Sequence, residues 1–210
     1  MPAADTLVFY HSPNTRSSAT FILLDELGAP YEMKVIDMKN GEQRQPAYLA
    51  INPMGKVPAI EHNGALVTES VAIFIYLADA YPAAGLAPKI GDARRGPYLR
   101  WMTYYGSCFE PAVVDRAQKR EQAPLAMSPY GDFDTMLKTV TDQLDKGPYI
   151  LGDTFSAADV LWGTGLTWTT MFGIVPKLPS IEAYLGRLAS RPSLARVKAK
   201  DTELAAALAK

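Results

Sequence analysis

The start of the chain alternates between strand and helix in a way that restricts its fold. Residues 6–10 are apolar and rich in strand-forming side chains, which predicts a first β-strand. In Ser17–Leu27, apolar residues recur at helical spacing, and Gly28 supplies a C-terminal stop. Residues 30–36 then read as a second strand. A strand, a helix and a strand within about 30 residues form a βαβ unit, whose strands lie parallel with a right-handed crossover.

Two further strands and a helix complete this first region. Residues 57–61 and 65–67 are apolar segments on either side of Asn63-Gly64, a dipeptide typical of tight hairpin turns. Residues 70–81 again have apolar positions at helical spacing. The region therefore predicts an α/β domain in which a hairpin joins the βαβ unit.

The pattern changes after residue 81. Residues 82–91, rich in proline, alanine and glycine, read as a linker, and no strand-like alternation follows them. The sequence thus predicts two domains, an α/β domain over 1–81 and an all-helical domain over 92–210. In the second domain, helical spacing predicts segments over 93–122, 129–146, 156–172 and 180–200.

Composition excludes several functional classes. A formal net charge of −1 does not suit neutralisation of nucleic-acid phosphates or binding to an anionic membrane surface. No apolar run reaches the ~18 residues that span a bilayer, and the N-terminus lacks the pattern of a signal peptide. The single cysteine, Cys108, excludes an internal disulfide, and with two histidines we expect no metal site. These features predict a protein of the reducing cytoplasm that binds neither nucleic acid nor membrane.

Three motifs occur together with the βαβ start. Asn52-Pro-Met-Gly-Lys-Val-Pro58 precedes the hairpin, and Thr68-Glu69-Ser70 opens a helix. Ser156 and Asp159 form a capping box at another helix start, which is structural and not a site. In this order and spacing, the motifs resemble those of cytosolic glutathione transferases, over essentially the whole chain. The resemblance implies a thioredoxin-like N-terminal domain, an all-helical C-terminal domain, a homodimer, and glutathione as co-substrate without a further cofactor.

The resemblance assigns residues to each end of glutathione. It implies that Pro58 is cis and that Val57 pairs its backbone with the cysteinyl unit, as a one-residue strand addition. Ser70, at a helix N-terminus, suits the γ-glutamyl carboxylate, and Glu69 suits its ammonium group. The alternatives are that Val57 is an ordinary core residue and that Ser70 only caps its helix.

Two more residues resemble positions that face the glycine end of glutathione. These are Gln43 and Lys56, whose charge suits the glycine carboxylate. The alternative for Lys56 is a solvated surface lysine. Arg44 is a weaker positional match than Gln43.

Activation of the thiol requires hydrogen-bond donors aimed at sulfur, and family classes differ in which residue supplies them. The catalytic-tyrosine register falls on Tyr10, the catalytic-serine register on Asn14, and the cysteine of one bacterial class on Arg16. Ser12-Pro13-Asn14 resembles the Thr-Pro-Asn of the bacterial nu class, whose threonine and asparagine approach the sulfur. We therefore predict Asn14 and Ser12 as the catalytic residues.

Other readings of this turn remain open. Ser-Pro-Asn is also ordinary turn chemistry, Asn14 could cap the first helix, and Tyr10 could be a packed strand residue. His11 lies beside Ser12, but a hydrolase triad needs a third partner, and the sequence has no nucleophile-elbow glycines.

The second substrate is expected on an aromatic helix face. In the family this helix borders the cleft between the domains, and here it carries Tyr105 and Phe109, which we expect to be partly exposed. We also expect Pro111 to bend the helix. The chain is thus predicted to conjugate glutathione to small, mostly apolar electrophiles. The alternatives are glutathione-dependent reduction of disulfides or peroxides, and a non-catalytic glutathione-binding stress protein.

Overall fold

The computed structural model describes residues 6–209. They form two compact units. One unit comprises the chain up to Ala84 together with the residues from Pro192 onward, and the other comprises Gly85–Arg191.

A four-stranded mixed sheet forms the centre of the first unit. Its order is β2-β1-β3-β4, with β1 parallel to β2 and antiparallel to β3, and β3 antiparallel to β4. The predicted βαβ unit and hairpin are therefore confirmed. The strands are β1 Leu7–His11, β2 Glu32–Val35, β3 Ala59–His62 and β4 Ala65–Thr68.

Three helices accompany the sheet in this part of the chain. They are α1 Ser17–Leu27, the short α2 Pro46–Leu49, and α3 Ser70–Ala80. The bounds of α1 match the prediction, since Gly28 ends it in the left-handed conformation with φ 62°. Both α1 and α3 contact the sheet and each other. The sequence pattern did not predict α2, which has only one helical turn.

Strand β1 sends alternate side chains to opposite faces of the sheet. Phe9 and Phe21 of α1 meet with ring centroids 6.2 Å apart on one face. On the other face, Tyr10 packs in a buried cluster with Tyr48 and Val57. Both faces of β1 are therefore covered by packed side chains. This packing holds the end of the strand, from which the next turn starts.

The last helix of the chain, α9 Pro192–Leu208, belongs to the first unit and packs against α1. Arg196 binds Asp25 with a nitrogen–oxygen distance of 2.5 Å. The single helix predicted over 180–200 is wrong, because α8 Pro179–Ala189 ends before Pro192 begins α9. Proline cannot continue a helix but suits a first turn, which explains the break.

In the described part of Gly85–Arg191, all longer elements are helices. Besides α8 they are α4 Arg95–Tyr104, α5 Glu110–Ala117, α6 Phe133–Leu144 and α7 Ala157–Met171. Their core centres on Trp162, which is fully buried and donates from its indole N–H to the carbonyl of Trp101 at 3.1 Å. The predicted fold class, a thioredoxin-like domain with an all-helical domain, is confirmed.

The long helix predicted over 93–122 contains an irregular turn. A wider, π-type turn over Tyr105–Phe109 separates α4 from α5, and the N–H of Glu110 bonds the carbonyl of Tyr105. Pro111 follows directly and has no N–H to give to the carbonyl four residues earlier. The irregularity therefore lies just before Pro111. No helix in residues 6–209 is long and apolar enough to cross a membrane.

Candidate active site

The turn between β1 and α1 is held by its own hydroxyl groups. The N–H of Ser12 donates to Oγ of Ser17 at 3.1 Å, and the carbonyl of Ser12 accepts from Oγ1 of Thr15 at 2.7 Å. Ser12 itself is buried, with 4% of its surface exposed. Two short-range hydrogen bonds thus fix the main chain of one predicted catalytic residue.

Asn14 occupies the exposed tip of this turn. Its φ of 58° places it in the left-handed region, which asparagine tolerates better than most residues. The N-cap of α1 is Arg16, so Asn14 does not cap the helix. The exposed amide of Asn14 is therefore more accessible to a ligand than the buried side chain of Ser12.

The side chain of Tyr10 is packed in the core. Its ring lies 5.9 Å from that of Tyr48, and only 9% of its surface is exposed. Burial, with a smaller contribution from Glu61, raises the pKa of its hydroxyl. A buried phenol with a raised pKa is a weak donor to an external thiolate, which supports the packed-strand reading.

The segment before Val57 is shaped by a glycine and two hydrogen bonds. At Gly55 φ is 58°, and a Cβ there would lie 2.7 Å from the carbonyl oxygen of Gln43. The carbonyl of Lys56 accepts from the hydroxyl of Tyr48 at 2.7 Å and from the amide of Asn52 at 2.9 Å. The Asn-Pro-Met-Gly motif therefore folds back on itself and delivers Val57 in a fixed position.

Val57 has an open main chain. The Val57–Pro58 bond is cis, as the family resemblance implies. Within residues 6–209, neither the N–H nor the C=O of Val57 makes a hydrogen bond. Its side chain is buried in the cluster with Tyr10, whereas its backbone groups remain available for a ligand.

Glu69 and Ser70 lie at the start of α3. Glu69 has a φ of 68°, is exposed, and makes no capping hydrogen bond with its side chain, while its carbonyl accepts from the N–H of Ile73 at 2.9 Å. Ser70 is the first helical residue and not the N-cap, so the capping alternative for it is wrong. The first turn of α3 thus has no capping side chain from its N-cap residue, and a carboxylate suits its N–H groups.

The two residues predicted for the glycine end differ in environment. Oε1 of Gln43 is buried and has no hydrogen-bond partner among the described residues. A buried amide oxygen without a partner can accept a hydrogen bond from an N–H group of a ligand. Lys56 is exposed.

The partial exposure expected of Tyr105 and Phe109 is wrong. Their exposed fractions are 6% and 0%, and their rings lie 5.2 Å and 5.0 Å from that of Trp162. The hydroxyl of Tyr105 donates to Oε1 of Glu110 at 2.9 Å. The aromatic stripe is therefore core, the more frequent role of such a pattern, and neither side chain offers an open wall to a second substrate.

Sequence reasoning missed one residue at the candidate site. Asp201 of α9 is 7% exposed, and its Oδ1 lies 2.8 Å from Nε2 of His11. A contact across 190 residues has no local signature, because Asp201 lies in a polar, alanine-rich stretch that reads only as a helix. Among the described residues, no group of three or more acidic, cysteine or histidine side chains could hold a metal.

Comparisons with known proteins point to one family. A family model described as the N-terminal domain of glutathione S-transferase matches residues 5–79. Glutathione S-transferase F10 of Arabidopsis thaliana is 31% identical over 166 residues, which is 73% of this chain and 76% of that protein. The disulfide-bond oxidoreductase YfcG of Escherichia coli strain K12 is 25% identical over 198 residues, or 88% of this chain and 90% of that protein.

A solved structure agrees over nearly the full length. A sphingomonad glutathione S-transferase, solved in complex with glutathione, has a TM-score of 0.77 and 30% identity, covering 93% of this chain and 98% of that chain. The matched domain contains the turn with Asn14, the open main chain of Val57 and the uncapped start of α3. With sequence similarity across most of its length and the same fold, this chain belongs to the glutathione S-transferase family.

Proposed function

We propose that the protein binds glutathione and transfers its thiolate to electrophilic, mostly apolar small molecules. The observation that carries this proposal is the open main chain of Val57, whose N–H and C=O have no partner in residues 6–209. These two groups match the amide pair of a cysteinyl unit, which would add to them as one residue of a strand.

The charged ends of glutathione have complementary groups in the same unit. The γ-glutamyl end carries a carboxylate and an ammonium group, which suit the uncapped first turn of α3 with Ser70, and the carboxylate of Glu69. Gln43 and Lys56 are proposed for the glycine end. Binding at these sites would hold the sulfur between Val57 and the turn with Asn14.

The chemical step then needs only a lowered thiol pKa. A thiol with a pKa near ~8.5 is only about 3% ionised at pH 7. A decrease of about two pKa units makes the thiolate the main form and needs one or two charge-assisted hydrogen bonds. We propose that Asn14 supplies one of these bonds and Ser12 a second, as in the nu-like triplet. The thiolate then attacks the electrophile without a protein base.

A second candidate function is glutathione-dependent disulfide reduction. The similarity to a protein named as a disulfide-bond oxidoreductase favours it, as does the resemblance of Ser12-Pro13-Asn14 to the nu class. Arg16 occupies the register in which another bacterial class has cysteine, so a second glutathione would have to resolve the mixed disulfide. Two glutathiones would thereby reduce one disulfide to two thiols and become glutathione disulfide. The third candidate is a glutathione-binding stress protein without turnover.

One assay separates the three functions. The purified protein is incubated with glutathione and either an aryl halide or a small disulfide, and product formation is measured. We expect conjugation of the aryl halide. Reduction of the disulfide alone supports the second function. Glutathione binding without either activity contradicts both enzymatic functions.

The γ-glutamyl contacts should affect binding more than chemistry. We expect Ser70→Ala and Glu69→Gln each to raise KM for glutathione roughly tenfold or more, since each removes a hydrogen bond to a charged group. Both residues are remote from the sulfur, so kcat at saturation should change little. Steady-state kinetics test this, with Glu121→Gln, an exposed carboxylate of the other unit, as the control. A lower kcat with unchanged KM would contradict the assignment.

We also propose that the protein is a homodimer of the cytoplasm, where the family resemblance implies the dimer and the cysteine usage favours the reducing compartment. Sedimentation equilibrium at micromolar concentration should then give about twice the chain mass of 22.9 kDa. A mass of one chain under these conditions would refute the dimer.

A further inference from the structure

One carboxylate of α9 contacts side chains on both sides of the turn that carries Asn14. Oδ1 of Asp201 lies 2.8 Å from Nε2 of His11, and Oδ2 accepts a hydrogen bond from the hydroxyl of Ser18. The backbone of Asn14 acts in the same direction as these hydrogen bonds, since it also lowers the pKa of Asp201. The end of β1 and the start of α1, on either side of Asn14, are thus both tied to one side chain.

The contact with His11 continues as a directional chain of hydrogen bonds. The ionised carboxylate of Asp201 can only accept, so Nε2 of His11 carries the proton between them. The other ring nitrogen, Nδ1, forms a hydrogen bond with the hydroxyl of Ser17, 2.8 Å away. Oγ of Ser17 in turn accepts from the N–H of Ser12 at 3.1 Å. Asp201 therefore orients the backbone of Ser12 through two intermediate side chains.

This serine–histidine–aspartate arrangement is not a hydrolytic triad. His11 and Ser17 each have an exposed fraction of 0%. The hydroxyl of Ser17 also lies 2.8 Å from Oγ1 of Thr15 and 3.0 Å from the carbonyl of Ser12. A nucleophile needs access to its substrate, and this hydroxyl is fully buried among the side chains and main chain that it contacts.

We propose that Asp201 is a positioning residue for thiol activation, holding the turn so that Asn14 and Ser12 are aimed at the glutathione sulfur. This inference rests on the proposed function. The same carboxylate binds Ser18, after Asn14 in the chain, directly, and it fixes the N–H of Ser12, before Asn14, through His11 and Ser17. A non-glycine residue at positive φ persists where surrounding contacts over-determine it, and the ties at both ends of the turn are such contacts.

The charge state of Asp201 agrees with this role. Burial acts to raise its pKa, but the hydrogen bonds from His11 and Ser18 outweigh it, so that the pKa of Asp201 lies below its usual value. The carboxylate is therefore ionised at neutral pH and accepts from both His11 and Ser18. A hydrogen-bond donor that is displaced even slightly stabilises the thiolate less well. If the turn loosens, we therefore expect the pKa of the bound glutathione thiol to rise.

The test compares Asp201→Asn with a matched control on the same pair of helices. The asparagine side chain has the shape of aspartate but one acceptor oxygen fewer, and its NH₂ group would face donors. Arg196→Gln is the control, because it breaks the contact between Asp25 of α1 and α9 without touching the turn. The thiol of bound glutathione is titrated by its ultraviolet absorbance, and kcat and KM are measured in parallel.

We expect Asp201→Asn to raise the thiol pKa by about one unit and to lower kcat/KM about tenfold at neutral pH. KM for glutathione should change less than twofold, since the contacts at Val57 and α3 remain. Arg196→Gln should leave the titration unchanged. A purely structural role would instead lower the melting temperature in both variants and leave the thiol pKa in place.

The outcomes separate this inference from the proposed function. If the wild type ionises bound glutathione and Asp201→Asn does so equally, the inference is overturned and the function stands. If the wild type does not ionise bound glutathione, the proposed function is refuted, and the inference is refuted as well because it rests on that function. Should Asp201→Asn fail to fold, Ser17→Ala breaks the chain at another link and keeps the carboxylate. An unchanged thiol pKa in Ser17→Ala would then refute the inference.

Discussion

Replacement of Asp159 by alanine should strongly destabilise the helical unit, because it removes a buried carboxylate on which several hydrogen bonds converge. Oδ1 of Asp159 accepts from the N–H of Ile150 at 2.8 Å and the hydroxyl of Tyr184 at 3.0 Å. Oδ2 accepts from the N–H and the hydroxyl of Ser156 at 2.8 Å and 3.0 Å. The alanine variant leaves these buried donors without an acceptor, at a cost of about 1–3 kcal/mol for each group that stays unpaired.

The free energy of unfolding should therefore fall by about 3–5 kcal/mol in Asp159→Ala. For a chain of this size, that loss corresponds to a melting temperature roughly 6–20 °C lower. Burial raises the pKa of Asp159 although its hydrogen bonds act to lower it, so the carboxylate itself is costly to bury. Asp159→Asn should accordingly lose less, because it removes the charge and keeps one acceptor oxygen.

Asp132→Ala is the matched control for this measurement. Asp132 caps α6 by accepting from the N–H of Thr135 at 2.7 Å, but in an exposed setting. Its replacement should lower the melting temperature several-fold less, since water satisfies the freed N–H. Equal losses in Asp159→Ala and Asp132→Ala would contradict the role assigned to the buried network. Thermal unfolding followed by circular dichroism measures both.

Features with a local cause could be predicted from the sequence. The bounds of α1 follow from its helical spacing and from Gly28, which ends the helix at positive φ. The capping box of Ser156 and Asp159 is present as predicted, since its spacing and residue types define it. The sequence also allows the helix break before Pro192 to be predicted, because proline starts helices and does not continue them.

Features that depend on tertiary contacts could not be predicted. The spacing of Tyr105 and Phe109 places them on one helix face, but only the packing of Trp162 decides that this face is buried. The partner of His11 is Asp201, which approaches only because α9 folds back onto α1. A hydrogen bond between residues so distant in the chain leaves no periodicity or motif to recognise.

Replacement of Asn14 should have the largest effect on activity. Loss of one hydrogen bond to a charged sulfur costs ~1.5–3 kcal/mol, or roughly 10- to 150-fold in kcat/KM if the bond persists in the transition state. Asn14 has a φ of 58°, so alanine would also strain the turn. Asn14→Gly removes the amide without that strain and is the cleaner variant. Its effect should appear as a raised pKa of the bound glutathione thiol.

Further variants test the sign and the location of this effect. Asn14→Asp tolerates the same φ but places a carboxylate near the thiolate, so it should raise the thiol pKa more than Asn14→Gly does. Ser12→Ala should act in the same direction, and its combination with Asn14→Gly should be non-additive, because both donors share one acceptor. Tyr10→Phe is the control, expected to be nearly silent since that hydroxyl is buried beside Tyr48. If Tyr10→Phe shifts the ultraviolet titration of bound glutathione and Asn14→Gly does not, the thiol is activated in the tyrosine register instead.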